Sequence, residues 1–276
     1  MSEILLQAKQ ISKHFGGVTA LDKVDLTIKK GEIHCLMGEN GCGKSTLIKI
    51  ISGFYRPDGG SITFEGKEYE RLSIAESIGL GIQVIYQDMS IFPNLTVAEN
   101  IAINNELYNH RKLVNWKSVK SIAKEALDHI GIELPLQAVV GELSVADKQL
   151  IAIARAILNN SKLIIMDEPT SALTRKEVDK LFKVIRQLQK EGISTLFVSH
   201  KLDEVFEIAD QFTVFRNGKL VVADSAKNIN DEQFVYYMTG RKLEEAAFTP
   251  EKIDHDRPTL KVENLGLTNG FEKISF

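Results

Sequence analysis

The chain has 276 residues, 43% hydrophobic and 26% charged, enough apolar content for one large or two ordinary cores, which excludes disorder, collagen and coiled coil as dominant states. Its 34 basic and 37 acidic side chains leave a formal net charge of -3, so no overall field favours nucleic acid or an anionic membrane. Cys35 and Cys42 are too few and too close in sequence for a disulfide framework, and no Cys/His spacing marks a zinc site, so a reducing, cytoplasmic setting is expected.

The N-terminus, MSEILLQAKQ, lacks a basic segment followed by a sustained apolar stretch, and no apolar run approaches the roughly 18 residues that span a bilayer. The expectation is a chain neither exported nor membrane-spanning by itself. Residues 24–28 and 33–37 read as strands, and residues 46–51 as a helix. Helix starts are expected at Thr96, with Glu99 three residues on, and at Asn115, before an amphipathic stretch over 116–130 stopped by Gly131. The middle of the chain is thus a helical insertion between sheet elements. Ser144 and Asp147 form another cap pattern. Residues 163–166 and 195–198 read as further strands, with a helix start between them at Thr174, capped by Glu177. Asn217-Gly218 between apolar runs predicts a tight hairpin. The alternation of strand and helix signals argues for an α/β fold.

From 243 to 258 the periodicity gives way to charged residues and two prolines, as in an exposed connector. After it, Leu260-Lys261-Val262-Glu263-Asn264-Leu265 is similar to Leu6-Gln7-Ala8-Lys9-Gln10-Ile11, and residues 270–276 are similar to 20–26. A domain is expected to restart there and to be cut off. The expected division is a domain over 1–242, a linker over 243–258 and a truncated second copy over 259–276.

The strongest chemical signal is Gly38-Glu39-Asn40-Gly41-Cys42-Gly43-Lys44-Ser45, a complete phosphate-binding loop between a predicted strand and a helix that opens at Thr46. Glycines let backbone N–H groups face inward, the helix N-terminus adds positive dipole, and Lys44 reaches the β- and γ-phosphates of a nucleotide such as ATP. The Ser45 hydroxyl suits Mg²⁺. The strand over 163–166 ends in Asp167 and Glu168, where open α/β sheets place ligand chemistry. Asp167 suits Mg²⁺, directly or through water, and Glu168 can orient and deprotonate an attacking water. His200 follows Ser199 at another strand's carboxyl end and is a candidate contact of the γ-phosphate, with a capping or packing role as the alternative.

Together these motifs resemble the ATP-binding cassette family, in which phosphate loop, Gln loop, signature, Asp-Glu strand end and switch His occur in this order. The resemblance covers essentially the whole chain. It implies an α/β, P-loop NTPase core of ABC type with an antiparallel β subdomain and a helical signature subdomain. It also implies that Phe15 stacks on adenine, packing under a β-turn being its alternative, and that Gln87 touches Mg²⁺ or water and relays nucleotide state to a transmembrane partner.

The signature departs from the family consensus Leu-Ser-Gly-Gly-Gln: it reads Leu143-Ser144-Val145-Ala146-Asp147. In the family, Ser144 and the amides after it would cap a γ-phosphate held by an opposing cassette. Val145 and Ala146 restrict the backbone there and Asp147 adds negative charge, so a weak clamp is expected. That departure and Ser171-Ala172-Leu173-Thr174 resemble the ribose-type sugar importers, whose ATPase carries two cassettes in one chain. The resemblance implies an ATPase on the cytoplasmic face of the membrane, working with a second cassette of the same full-length chain, permease subunits and, indirectly, an external sugar-binding protein. Nucleoside importers share the pattern. A soluble cassette protein acting on nucleic acid or the ribosome, a P-loop kinase and a non-hydrolysing regulatory half are rivals. The first is opposed by the two cysteines and the negative charge, the second by the cassette order of Gln87, Ser144 and His200, and the third by Glu168; no nucleic-acid partner is expected.

Overall fold

A computed structural model describes residues 3–108, 114–241, 260–268 and 270–276, in two units, Met1–Lys242 and Leu243–Phe276. The first unit opens with β1 (Ile4–Phe15), β2 (Val18–Lys29) and β3 (Ile33–Met37), then α1 (Lys44–Ile51), β4 (Gly59–Phe64), β5 (Lys67–Tyr69), α2 (Ile74–Gly79) and β6 (Ile82–Ile85). Next come α3 (Val97–Tyr108), α4 (Trp116–His129), α5 (Val145–Ile157), β7 (Leu163–Asp167), α6 (Arg175–Lys190) and β8 (Ser194–Val198). It closes with α7 (Leu202–Ile208), β9 (Gln211–Arg216), β10 (Lys219–Ser225) and α8 (Asp231–Thr239).

Two sheets result. An antiparallel sheet has the order β2-β1-β4-β5, and a second sheet the order β10-β9-β3-β8-β7-β6, in which every pairing is parallel except β9 with β10. The parallel strands are apolar on both faces because both faces are covered. Side-chain alternation along β7 divides them: Leu163 and Ile165 join a core with α1 and the antiparallel sheet, while Ile164 and Met166 join the core with α3, α4, α5 and α6. The helical insertion therefore covers one face of the parallel sheet and the antiparallel sheet lies on the other side. The α/β class and both expected subdomains are present.

The local signals act as expected. Glu99 accepts from the Thr96 backbone (2.8 Å) and hydroxyl (2.6 Å), and Thr96 Oγ1 accepts from the Glu99 amide (3.3 Å), closing a capping box at α3. At α6, Glu177 accepts from the Thr174 amide and hydroxyl. Asn115 Oδ1 accepts from the amides of Lys117 and Ser118 and starts α4, which ends at His129 with Ile130 as its cap, one residue short of expectation. Asn217 (φ 51°) and Gly218 (φ 74°) form the hairpin turn, both central residues left-handed as that turn requires. Strand β2 is longer than the stretch predicted at 24–28, because its outer half pairs along β1 up to Phe15 opposite Val18. Among the described residues no helix is long and apolar enough to cross a membrane.

The expected linker, 243–258, lies outside the described residues. The described part of the second unit is a small antiparallel pairing in which Val262 and Phe276 exchange both backbone hydrogen bonds, as do Leu265 and Ile274. Shifted onto the similar stretches at the N-terminus, these pairs become Ala8 with Leu26 and Ile11 with Val24, which are partners in β1 and β2. The irregularities match too. Gln10 (φ 51°) and Lys23 (φ 50°) are left-handed, and so are Asn264 (φ 52°) and Lys273 (φ 53°). The Gln10 amide donates to the Asp25 side chain at 2.8 Å, and the Asn264 amide to Ser275 Oγ at 3.0 Å.

Candidate nucleotide site

Strand order makes the site. β3 lies between β9 and β8, and β7 is the next strand beyond β8, so the loops after β3, β7 and β8 converge at one sheet edge. Cα partners Leu36 and Val198, and Val198 and Asp167, set the heights at which these loops leave the sheet. This is the switch-point crevice at the carboxyl ends of the strands.

The glycine loop follows β3 and ends in α1. A Cβ on Gly38 (φ 147°) would overlap the Phe215 carbonyl oxygen and Cys42 Sγ, and one on Gly43 (φ 108°) would lie 2.6 Å from the Ala20 carbonyl oxygen. Both glycines are therefore required by conformation and by space. Lys44 is only 6% exposed, and its Nζ donates to the carbonyls of Gly38 (2.6 Å) and Glu39 (3.0 Å). Two backbone acceptors thus hold its ammonium over the loop. Ser45 Oγ donates to Asp167 Oδ2 at 3.4 Å, joining α1 to the end of β7.

A cavity of about 390 Å³ is lined by Ala20, Asn40, Gly41, Gly43, Lys44, Ser45, Thr46, Gln87, Asp167 and Glu168. An adjoining one of about 630 Å³ takes in Ser45, Lys49, Phe54, Tyr86, Gln87, Asp88 and Asp167. Gln87, Ser45 and Asp167 border both. Burial, and then the neighbouring charge of Glu168, hold the Asp167 carboxyl above the usual carboxylate range. Glu168 is left-handed (φ 48°), its amide donates to the Val198 carbonyl (3.1 Å), and Oε1 lies 3.3 Å from His200 Nδ1. A non-glycine residue persists in that conformation only where its surroundings impose it, as the bond to β8 does here.

Three predicted residues outside the glycine loop stand apart from the phosphate cavity. His200 meets Glu168 without lining the cavity. Phe15 is 41% exposed at the end of β1, with its ring edge against Tyr55 (centroids 5.2 Å apart) and Lys13 Nζ 5.5 Å from its centroid. Ser144 caps α5: its Oγ accepts from the Asp147 amide (3.1 Å) and donates to Asp147 Oδ2 (2.9 Å), so the hydroxyl is already engaged. Glu39 contributes its carbonyl to Lys44, and the Cys42 side chain is buried beneath the loop.

Other contributors had no sequence signal. Ala20 comes to the cavity from β2, across the antiparallel sheet. Lys201 Nζ donates to the Thr170 carbonyl (3.0 Å) and pairs with Glu204 (3.2 Å), tying the loop after Glu168 to the one after His200. Only adjacency to His200 could have marked it.

The donor set fits a magnesium–nucleotide complex. Among the described residues no group of three or more His, Cys, Asp or Glu could hold a metal by itself. Ser45 and Asp167 offer two hard oxygens, and Gln87 a third on the same wall, a partial shell of the kind that Mg²⁺ completes with phosphate oxygens and water.

Strand, glycine loop, helix and an acid-ended neighbouring strand define a P-loop nucleotide-binding protein. The ABC transporter family matches residues 21–171, more than half of the chain, and the chain belongs to that family. It is 43% identical over 274 residues to a putative ribose/galactose/methyl galactoside import ATP-binding protein of Halalkalibacterium halodurans, covering 99% of this chain and 52% of that protein. It is 41% identical to a ribose import ATP-binding protein of Caldanaerobacter subterraneus, covering 99% of this chain and 55% of the other. The chain thus spans about half the length of these curated relatives. Its fold is similar to a crystal structure of an ATP-binding cassette of an ABC transporter in its ADP conformation, with a TM-score of 0.76 and 28% identity over 86% of this chain and 98% of that one. A nucleotide-free cassette superposes with a TM-score of 0.74 at the same identity.

Proposed function

We propose that this chain is the first ATP-binding and ATP-hydrolysing cassette of an import ATPase that energises uptake of a sugar through membrane permease subunits. The observation that carries it is the single wall on which Lys44, Ser45, Gln87, Asp167 and Glu168 meet around the glycine loop. The names of relatives matching almost the full chain support a sugar as cargo. The repeated β1–β2 register, bulges included, supports a domain over 1–242, a linker over 243–258 and the start of a second cassette from 259. The permease places the cassette at the cytoplasmic face of the membrane, with a sugar-binding protein as an indirect partner.

The residues divide the work. Backbone amides of the loop and Lys44 hold the β- and γ-phosphates, and Phe15 offers a ring to the adenine. Ser45, Asp167 and Gln87 would hold Mg²⁺, which when bound neutralises charge on the phosphate oxygens. Glu168 orients a water at the γ-phosphate and takes its proton on the carboxylate, while His200 holds that carboxylate in place from Nδ1. Ser144, facing the opposing cassette's nucleotide, makes a weak clamp because Asp147 already engages its hydroxyl.

Titration of this chain with Mg-ATP, with binding and mass recorded together, tests the reading. Saturable binding by a monomer, lost on changing Lys44, is the expected result. No binding by a folded parent protein would refute it.

A further inference from the structure

His200 meets Glu168 across two loops, and the contact between them is weak in itself: Nδ1 lies 3.3 Å from Oε1, and the imidazole is about half exposed. An exposed pair of that kind gains little against the entropy of two side chains, so it does not fix its own geometry. Other groups have to hold the two loops at this separation.

The neighbours of His200 are fastened on both sides. Ser199 is buried; its amide donates to the Leu36 carbonyl (3.3 Å) and its hydroxyl to Glu204 Oε2 (2.5 Å). The Lys201 amide donates to Ser199 Oγ (3.0 Å), and Lys201 Nζ lies between Glu204 Oε1 (3.2 Å) and the Thr170 carbonyl (3.0 Å). Glu204 and Thr170 are only 4% and 2% exposed, so the bridge ends in the interior. Two links therefore join the loop after β7 to the loop after β8: Glu168 with His200 beside the cavity, and Thr170 with Lys201 on the buried side.

Local preference does not explain the lysine. It stands at the cap of α7, where Ser, Thr, Asp or Asn would offer an acceptor to the first-turn amides and where a cation faces the positive end of the helix. Glu204, the third residue of that helix, stands where a capping-box acid reaches back to the cap amide, yet its oxygens are engaged by Ser199 and Lys201. A residue that goes against its own helix in this way points to a task outside it.

We propose that Lys201, held by Glu204, is a positioning residue for ATP hydrolysis: it sets the loop after β7 against the loop after β8 so that Glu168 keeps its contact with His200. It acts through those two residues. The inference rests on the reading of Glu168 as the base.

The test uses a chain carrying both cassettes, with Lys201→Met, Lys201→Arg, Glu168→Gln and the double variant of Lys201→Met with Glu168→Gln. In Lys201→Met, kcat falls about tenfold or more while KM and the Kd for Mg-ATP stay within about threefold, since a small displacement of a reacting group costs rate rather than ground-state binding. Lys201→Arg, which keeps the charge and the donors, recovers most of kcat. In the Glu168→Gln background the methionine lowers turnover by less than about twofold further, because the group it positions is already gone. An unchanged kcat in folded Lys201→Met would overturn the proposal, as would an equal loss in both backgrounds. So would a fall in binding and unfolding midpoint that arginine does not restore. Parental turnover in Glu168→Gln would instead remove the base reading. The positioning is then read separately, from the His200 ring resonances of the nucleotide-free chain: Lys201→Met shifts them and Lys201→Arg leaves them near the parent's, and resonances unmoved by the methionine would overturn it.

Discussion

Replacing Lys44 by methionine separates what this side chain does for the fold from what it does for a ligand. The change keeps a stem of similar length and removes the ammonium. In the fold that ammonium donates at 2.6 and 3.0 Å to two carbonyls. Such charged-donor bonds are worth about 1.5–3 kcal/mol each, against several kcal/mol for holding an ion out of water with no carboxylate partner. The two nearly cancel, so the unfolding midpoint should move by less than about 4 °C, the shift expected from roughly 1 kcal/mol in a domain of this size. Binding has no such cancellation. A triphosphate facing the loop loses its buried cationic partner, at about 2–5 kcal/mol, or roughly 30- to 5,000-fold in Kd. Calorimetric titration with Mg-ATP, beside thermal unfolding of both proteins, measures the two quantities. A folded Lys44→Met protein that binds Mg-ATP within about threefold of the parent would refute the assignment of Lys44 to the phosphates.

Glu168→Gln, in a chain carrying both cassettes, should leave Mg-ATP binding intact and lower turnover at this site by about 10²-fold or more, the usual contribution of a positioned base; undiminished phosphate release would remove Glu168 from that role. Asp167 gives a pH signature: its folded pKa lies above its unfolded value, so its contribution to stability is full below about pH 3.9 and is lost as pH rises through the folded value. Asp167→Asn, which stays neutral, should therefore unfold later than the parent at pH 7 and together with it near pH 3, and parallel stability curves would contradict the burial argument. Glycine at Val145 and Ala146 should strengthen ATP-driven association in sedimentation, at about 1 kcal/mol of helix stability for Ala146, which is buried within α5; unchanged association would show that Asp147, not backbone restriction, weakens the clamp.

Much of the site was legible because its chemistry lies in contiguous residues. The glycine loop declares itself by its spacing and its place between a strand and a helix, although the carbonyls of Phe215 and Ala20 that exclude a Cβ at Gly38 and Gly43 come from β9 and β2 across the fold. The caps at Thr96, Asn115 and Ser144 and the Asn217-Gly218 turn are equally local, each acting over three or four residues. Even the repeat could be read, because pairing of β1 with β2 depends on the alternation written into both stretches, and the segment from 260 reproduces it down to its two left-handed residues.

By itself, then, the sequence determined which residues could hold a phosphate, where α3 to α6 begin and that a strand pair recurs, whereas α1 opens at Lys44, two residues before the expected Thr46. Only the tertiary structure decided that β3 lies between β8 and β9, which is what brings Lys44, Asp167 and Glu168 to one wall and His200 beside them. Strands apolar on both faces carry no mark of their neighbours, because each can bury its side chains equally well in several orders. The left-handed Glu168 and the reach of Lys201 to Thr170 were likewise settled by packing. A long side chain can meet any carbonyl the fold delivers, and sequence spacing does not encode which one arrives.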